Sequence, residues 1–162
     1  MLRSVRQRPR RLVAGICALV LVLVAVTVWV LQAQRQASHQ ARVQRDVVGP
    51  LWLLTEVRAP QGPTTVQRDD WITLRLEPNG TSRITTCSGG NTTTARWRAT
   101  SSGFEMADPV NDVLACNAGR SRPKVVSDAT SVLTRGPLVA ERSGDALVLR
   151  AAPYELRYRI ER

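Results

Sequence analysis

An uninterrupted run of 20 residues without a charge, at positions 12–31, constrains this chain more than any other feature. Almost all of these residues are Leu, Val, Ala or Ile. As a helix, with a rise of about 1.5 Å per residue, they would span about 30 Å, the thickness of a bilayer's hydrocarbon core. The run therefore predicts one transmembrane helix. The alternative is a cleaved signal peptide, but the run is longer than is usual there, and Leu31-Gln32-Ala33 is a poor small-x-small cleavage site.

Basic residues are concentrated before this run. Residues 1–11 contain five arginines and no acid, whereas residues 47–162 contain 15 Lys and Arg against 12 Asp and Glu, a net charge of only +3. Much of the net charge of +10 thus lies in the N-terminal segment and not in the predicted domain. This distribution indicates a cytoplasmic N-terminus and no nucleic-acid partner. We expect a basic cytoplasmic tail (1–11), a signal-anchor helix in the lipid bilayer of the cell membrane (12–31), a polar stalk (32–46) and an extracytoplasmic domain (47–162).

Short apolar runs alternate with turn residues after Gly49, a spacing typical of antiparallel strands. The clearest hairpin joins residues 71–76 to 81–86 through Asn79-Gly80. Further strands are predicted at 51–57, 95–99, 104–106, 138–142, 146–150 and 154–160, with Pro60 to Pro63 as a loop and Asp108-Pro109 as a turn. A helical spacing joins Val125, Val126, Ala129, Val132 and Leu133. The expected fold class is α+β: a mostly antiparallel β-sheet with one short helix, preceded by a single transmembrane helix.

Two cysteines, Cys87 and Cys116, lie in the predicted extracytoplasmic domain. An even number of cysteines in an oxidising compartment favours a disulfide, with two free buried thiols as the alternative. Closing a loop of about thirty residues would stabilise the fold by roughly 3.5 kcal/mol.

Several short motifs follow one another between Trp52 and Arg162. They are Trp52-Leu53-Leu54, the turn Asn79-Gly80, the segment Ser88-Gly89-Gly90-Asn91, the aromatic Trp97, the pair Ala115-Cys116, and Leu147-Val148-Leu149 after a short helix. In this order they resemble the META domain of the bacterial heat-inducible HslJ-type proteins. The resemblance implies the META-domain fold. It also implies a role in envelope stress, motility-linked secretion or antibiotic tolerance, without a known catalytic centre. Gly90 and Asp112 stand where the family usually has Cys and Thr, so the disulfide prediction rests on compartment and parity alone.

The predicted domain lacks the residue types of the common catalytic centres, so we predict no catalytic residue, metal or cofactor. His39, the one histidine, lies in the predicted stalk, away from any Ser-His-Asp or Cys-His arrangement. Two cysteines without histidine also make a poor zinc site. The carboxylates of the predicted domain leave two further interpretations open, a carboxylate-dependent hydrolase or a calcium site. Their candidate residues are Asp69, Asp70, Glu105, Asp108 and Asp112.

The remaining candidate ligand-binding groups are arginines and a glycine pair. Arg96, Arg98, Arg157 and Arg159 are predicted on the polar faces of two strands. They would bind an anionic cell-wall polymer or lipid headgroups, or form a solvated face. Gly89-Gly90-Asn91 would offer backbone N–H groups to an anion, or form a turn or bulge. The leading hypothesis is a non-enzymatic interaction or envelope stress-tolerance module with an envelope protein as its partner, and binding through the arginine face is the alternative.

Overall fold

The computed structural model describes residues 8–67, 71–86, 90–113 and 124–162, and the side chains of the first helix from residue 21 onward. The chain divides into two compact units, one ending at Ala37 and one formed by Ser38–Arg162. Helix α1 (Arg8–Asp46) supplies the first unit and the start of the second. The second unit therefore begins before the domain boundary that the sequence predicts at residue 47.

The part of α1 in the first unit carries exposed apolar side chains on every side. Leu21, Val22, Leu23 and Val24 are 55–69% exposed, and consecutive helix positions point about 100° apart. Trp29, in the same run, is 70% exposed. Within the described residues, no helix has both the length and the apolar character needed to cross a membrane. The predicted span 12–31 includes residues 12–20, whose side chains lie outside the described set.

The second unit is a closed antiparallel barrel. Its described strands are β1 (Trp52–Ala59), β2 (Gly62–Thr65), β3 (Thr73–Leu76), β4 (Thr81–Thr86), β5 (Asn91–Ala99), β6 (Gly103–Val113), β7 (Pro137–Ser143), β8 (Ala146–Ala151) and β9 (Tyr154–Ile160). The strand order is β2-β1-β3-β4-β5-β6-β7-β8-β9, and β1 also pairs with β9. Strand β1 and strands β3 to β9 thus form an eight-stranded barrel, and β2 lies beside the second half of β1. The predicted antiparallel sheet is confirmed, and its closure leaves few open edges.

Two segments differ from their predictions. Asp108 and Pro109 are not a turn: they lie within β6, where together they oppose Ala95 as a β-bulge. A bulge suits both residues, because Asp108 adopts a φ of +52° and Pro109 has no N–H for the ladder. The predicted loop around Pro63 contains β2, which is the outermost strand. A proline is tolerated on an edge strand because its missing N–H need not donate to a second neighbouring strand.

Alternating side chains of the strands fill the barrel. Trp52, Phe104, Leu147 and Leu156 are fully buried. The predicted short helix is confirmed as α2 (Lys124–Ser131), which continues into a single 3-10 turn (Val132–Thr134). The helical segment adds Val126, Ala129 and Leu133 to the same core, and α2 packs against β1 and β9. The result is one apolar core that the chain's own side chains occupy.

The last turn of α1 and Val47, the residue that follows it, belong to this core. Val43 and Val47 are 4% and 1% exposed. The Trp52 indole N–H donates to the Val47 carbonyl over 2.8 Å. The Arg142 guanidinium donates to the Asp46 carbonyl over 3.2 Å and lies 5.4 Å from the centre of the Trp52 ring. A cation at this position satisfies carbonyls that have no partner within the helix.

Candidate functional site

A cluster of alternating charges covers the outer face of β1, β7, β8 and β9. We call it the Arg–Glu network, and its members are Arg58, Arg150, Arg157, Glu56, Glu141 and Glu155. Its formal charge is zero, since three guanidinium groups face three carboxylates. Antiparallel pairing brings the residues together, because Arg58 is the register partner of Glu155 and Glu155 is the partner of Arg150.

Glu155 lies at the centre of the network. Its carboxylate accepts from the Arg157 Nε over 2.8 Å and from the Arg150 Nε over 3.0 Å, and the Arg58 Nε lies 4.0 Å away. Partial burial raises the pKa of Glu155, but the hydrogen bonds from Arg150 and Arg157 outweigh it and hold that pKa below its ordinary value. Glu155 therefore stays ionised and fixes the arginines around it.

The two outer arginines are held in the same way. The Arg58 Nε donates to Glu56 over 2.5 Å, and Arg150 bonds Glu141 through Nη1 over 2.8 Å. These carboxylate hydrogen bonds raise the pKa of Arg58 and of Arg150. Both side chains nevertheless remain nearly half exposed, at 49% and 43%.

A groove of about 400 Å³ opens beside the network, at the end of the barrel where β1 turns into β2 and β8 turns into β9. Arg58, Arg150, Tyr154 and Glu155 line it, and the turns contribute Ala59-Pro60 and Ala152-Pro153. The groove is shallow and largely open to solvent, so a ligand bound there would keep part of its surface in water. The groove thus combines half-exposed guanidinium groups with two prolines and the accessible part of Tyr154, whose side chain also packs against the core.

The four arginines predicted as a binding face do not form one surface. Arg96 and Arg98 lie on β5, Arg157 and Arg159 lie on β9, and three strands separate β5 from β9 in either direction around the barrel. Arg96 pairs with Asp108 and Arg98 with Glu105, while Arg157 belongs to the Arg–Glu network. Arg159 makes no ion pair with any residue that the structure describes.

The predicted carboxylate candidates are also dispersed. Glu105 and Asp108 each face an arginine, and Asp112 is exposed on β6 opposite Thr92. Asp69 and Asp70 lie outside the described residues. Among the residues described, no three or more His, Cys, Asp or Glu side chains are grouped to hold a metal.

His39 belongs to the second unit, although the sequence assigns it to the stalk. It lines a cavity of about 10 Å³ together with Asp46, Ser101 and Ser102. Such a volume holds at most about one water molecule. In the described part of the chain, no hydrogen bond joins His39 to these residues, as a nucleophile and its base would require.

The predicted disulfide cannot be placed, since Cys87 and Cys116 lie outside the described residues, as does Gly89. Gly90 lies in a turn that leads into β5, and Asn91 is the first residue of that strand, paired with Thr86 and Val113. Gly90 therefore belongs to a turn before a strand.

Sequence reasoning missed Arg58 and Arg150 as groove residues. Each occupies an outward position of a predicted strand or its end, as many solvated arginines do. The sequence feature that could have indicated these two arginines is the Ala-Pro turn after each strand, Ala59-Pro60 and Ala152-Pro153. Both prolines line the groove. That these turns are adjacent depends on the pairing of β1 with β9, which the sequence does not indicate.

The fold and the groove define a class: a small, closed antiparallel β-barrel with a charged outer groove and a long N-terminal helix. No family profile matches the chain, and no curated protein matches it. Among solved structures, the chain is similar to the NMR structure of a protein from Burkholderia xenovorans, with a TM-score of 0.55 and 15% sequence identity over 75% of this chain and 88% of that one. At this identity the likeness concerns the fold alone.

Proposed function

We propose that the chain is a membrane-tethered, extracytoplasmic META/HslJ-like module that acts in the cell envelope by binding another envelope protein, without catalysis. The packed barrel carries the proposal. Trp52, Phe104 and Tyr158 are at most 1% exposed inside it, so the interior is filled by side chains and recognition belongs to the outer surface.

The tether rests on the charge-free run 12–31 and on the arginines before it. Two features of α1 support it. The helix covers the whole run, and its exposed apolar residues from Leu21 to Leu31 surround the axis, as suits a helix in lipid. Five arginines ahead of the run favour a cytoplasmic N-terminus.

Lys124 offers a direct test of this topology. It is the only lysine in the chain, and its side chain is 86% exposed. A membrane-impermeant, amine-reactive reagent added to intact cells should label the wild-type protein and leave the Lys124→Arg variant unlabelled. Labelling that appears only after lysis would place the domain on the cytoplasmic side and contradict the proposal.

The META-like part of the proposal is supported by the structural roles of its motifs. Trp52 begins β1 and holds the end of α1. Gly80 adopts a φ of +86° in the turn before β4, and the Trp97 indole N–H donates to the Glu77 carbonyl in that turn over 2.9 Å. Leu147 and Leu149 of β8 are fully buried. The motifs that the structure describes thus have structural roles in the barrel, which agrees with a family defined by its fold. Ala115-Cys116 and residues 88–89 lie outside the described residues.

Crosslinking in intact cells tests the binding role. The full chain should recover one defined envelope protein under stringent washing. The matched control is a chain that ends at Ala37, which keeps the anchor but loses the second unit. Equal recovery by both chains would show that the barrel does not bind the protein and would overturn the proposal.

The groove favours a second candidate function, binding of an anionic envelope polymer. Arg58 and Arg150 present half-exposed guanidinium groups there. This candidate replaces the predicted single arginine face, since β5 and β9 lie on opposite sides of the barrel. Loss of polymer binding at high salt would be expected for contacts of this kind.

A further inference from the structure

We propose that the groove between the β1–β2 and β8–β9 turns binds an acidic saccharide unit. Arg58 and Arg150 would bond its carboxylate or phosphate oxygens, and Tyr154 would pack against the sugar ring. This inference rests on the second candidate function and names its site and ligand class. It does not depend on which envelope protein the barrel binds.

The two arginines are preorganised for an oxyanion. Within the described residues, the hydrogen bond of Arg58 uses Nε, and those of Arg150 use Nε and Nη1. The planes of both guanidinium groups are therefore fixed by protein carboxylates, while terminal nitrogens remain to donate to a ligand. Fixed guanidinium groups bind planar or tetrahedral oxyanions with less loss of side-chain entropy than mobile ones.

The walls of the groove suit a ring. Tyr154, at the start of β9, has the same strand parity as the inward residue Leu156 and packs partly against the core. The rest of its side chain lines the groove, to which the turns on either side contribute Pro60 and Pro153. The accessible part of Tyr154 and the two prolines would provide an apolar surface for the C–H face of a sugar, while the sugar hydroxyls stay in water. An acidic saccharide satisfies the guanidinium groups and this surface together.

Charge balance favours a saccharide over a bilayer surface. Binding to anionic lipid relies on clusters of uncompensated basic residues that attract from a distance. In the Arg–Glu network, Glu56, Glu141 and Glu155 compensate the three arginines, so long-range attraction is weak. Short-range hydrogen bonds from Arg58 and Arg150 remain effective in the shallow groove, and these require a discrete ligand.

Titration of the full ¹⁵N-labelled chain in a neutral detergent tests the inference. The signals of the arginine Nε–H groups would be followed on addition of glucuronic acid, glucose 6-phosphate or uncharged glucose. We expect saturable shifts of the Arg58 and Arg150 signals with the two acids and none with glucose. Arg58→Gln should weaken acid binding about tenfold, since it removes charge-assisted hydrogen bonds. Arg58→Lys keeps the charge but lacks the planar guanidinium with its several N–H donors, so it should also weaken acid binding. It serves as the test if Arg58→Gln does not fold.

Arg96→Gln is the matched control, because Arg96 is an exposed arginine on β5, across the barrel from the groove. It should leave the titration unchanged. Absence of saturable shifts, or an equal loss of affinity in Arg96→Gln, would overturn the inference. Shifts with phosphatidylglycerol vesicles but not with the acidic sugars would also overturn it and assign the groove to lipid. Failure here leaves the crosslinking result on the protein partner unaffected.

Discussion

Gly103 permits a close approach of β6 and β7 that no other residue allows. A Cβ atom at this position would lie 2.2 Å from the Leu138 carbonyl oxygen and 2.7 Å from the Ala140 nitrogen. Both are backbone atoms in a paired strand, so they cannot move aside cheaply. We expect Gly103→Ala to lower the free energy of unfolding by about 2 kcal/mol or more, measured by urea denaturation. Gly136→Ala is the control, since nothing lies within 4 Å of its Cβ position, and equal effects of the two changes would contradict this account.

Tyr158 carries a hydroxyl that the core does not satisfy. The residue is 1% exposed, and its hydroxyl has no hydrogen-bond partner among the residues described. Replacement by Phe should therefore raise the free energy of unfolding by about 1 kcal/mol. Burial also raises the pKa of Tyr158. The folded state thus requires the neutral phenol, and above about pH 10 the unfolded chain gains stability by ionising.

The advantage of Tyr158→Phe over the wild type should consequently grow above that pH. Urea denaturation at pH 7 and at pH 10.5 measures both effects. Tyr154→Phe is the control, because Tyr154 is only half-buried. A clear loss of stability in Tyr158→Phe at pH 7 would mean that the hydroxyl has a partner.

The Arg–Glu network joins strands β1, β7, β8 and β9, and Glu155 is its centre. Because Arg150 and Arg157 lower the pKa of Glu155 in the folded state, the ionised carboxylate stabilises the fold. This contribution is complete above the unfolded pKa of about 4.3 and is lost as the pH falls through the lower folded pKa. We expect Glu155→Gln to lower the free energy of unfolding by about 1 kcal/mol at pH 7, and by progressively less as the pH falls below about 4.3.

Denaturation of both proteins from pH 3 to pH 7 measures that difference. Asp145→Asn serves for comparison, since it removes an ion pair with Arg162 in which both side chains are more than half exposed. A difference between wild type and Glu155→Gln that stays constant over this range would show that the charge of Glu155 does not stabilise the fold.

Strands were predictable where local pattern and tertiary pairing agree. Thr81–Thr86 is found with the predicted bounds, because Asn79-Gly80 specifies the turn before it and alternation continues through it. Strand β6 was predicted as three residues and runs from Gly103 to Val113. The local sequence Asp108-Pro109 is typical of a turn, and only the pairing of β6 with β5 makes it a β-bulge.

The barrel and its groove could not be inferred from the sequence, because both depend on long-range pairing. Closure requires Trp52 to pair with Ile160, and no local signal links two strands so distant in the chain. The same pairing brings Arg58 to Glu155. Composition separates a basic N-terminal segment from a nearly neutral remainder, but it could not tell solvated arginines from arginines beside a groove.

The unit Ser38–Arg162 includes the last turns of α1. We therefore expect residues 38–47 to contribute to the stability of the barrel. Val43 lies in α1 and Val47 directly follows it, and the Val47 N–H donates to the Val43 carbonyl over 2.9 Å. Both side chains are buried in the core. A fragment that begins at Val48 loses both side chains and the Val47 carbonyl that Trp52 bonds. Burial of two valines is worth about 3 kcal/mol or more, a large part of the stability of a small domain.

We therefore expect the fragment 48–162 to unfold at a much lower urea concentration than the fragment 38–162. In the full chain, Arg142→Ala should weaken the same attachment without truncation, because it removes the donor to the Asp46 carbonyl and the cation over Trp52. Hydrogen exchange at the Val47 amide, which donates to the Val43 carbonyl over 2.9 Å, would report this loosening directly. If both fragments were equally stable and exchange at Val47 unchanged in Arg142→Ala, residues 38–47 would be a passive stalk, and the domain would begin where the sequence alone places it.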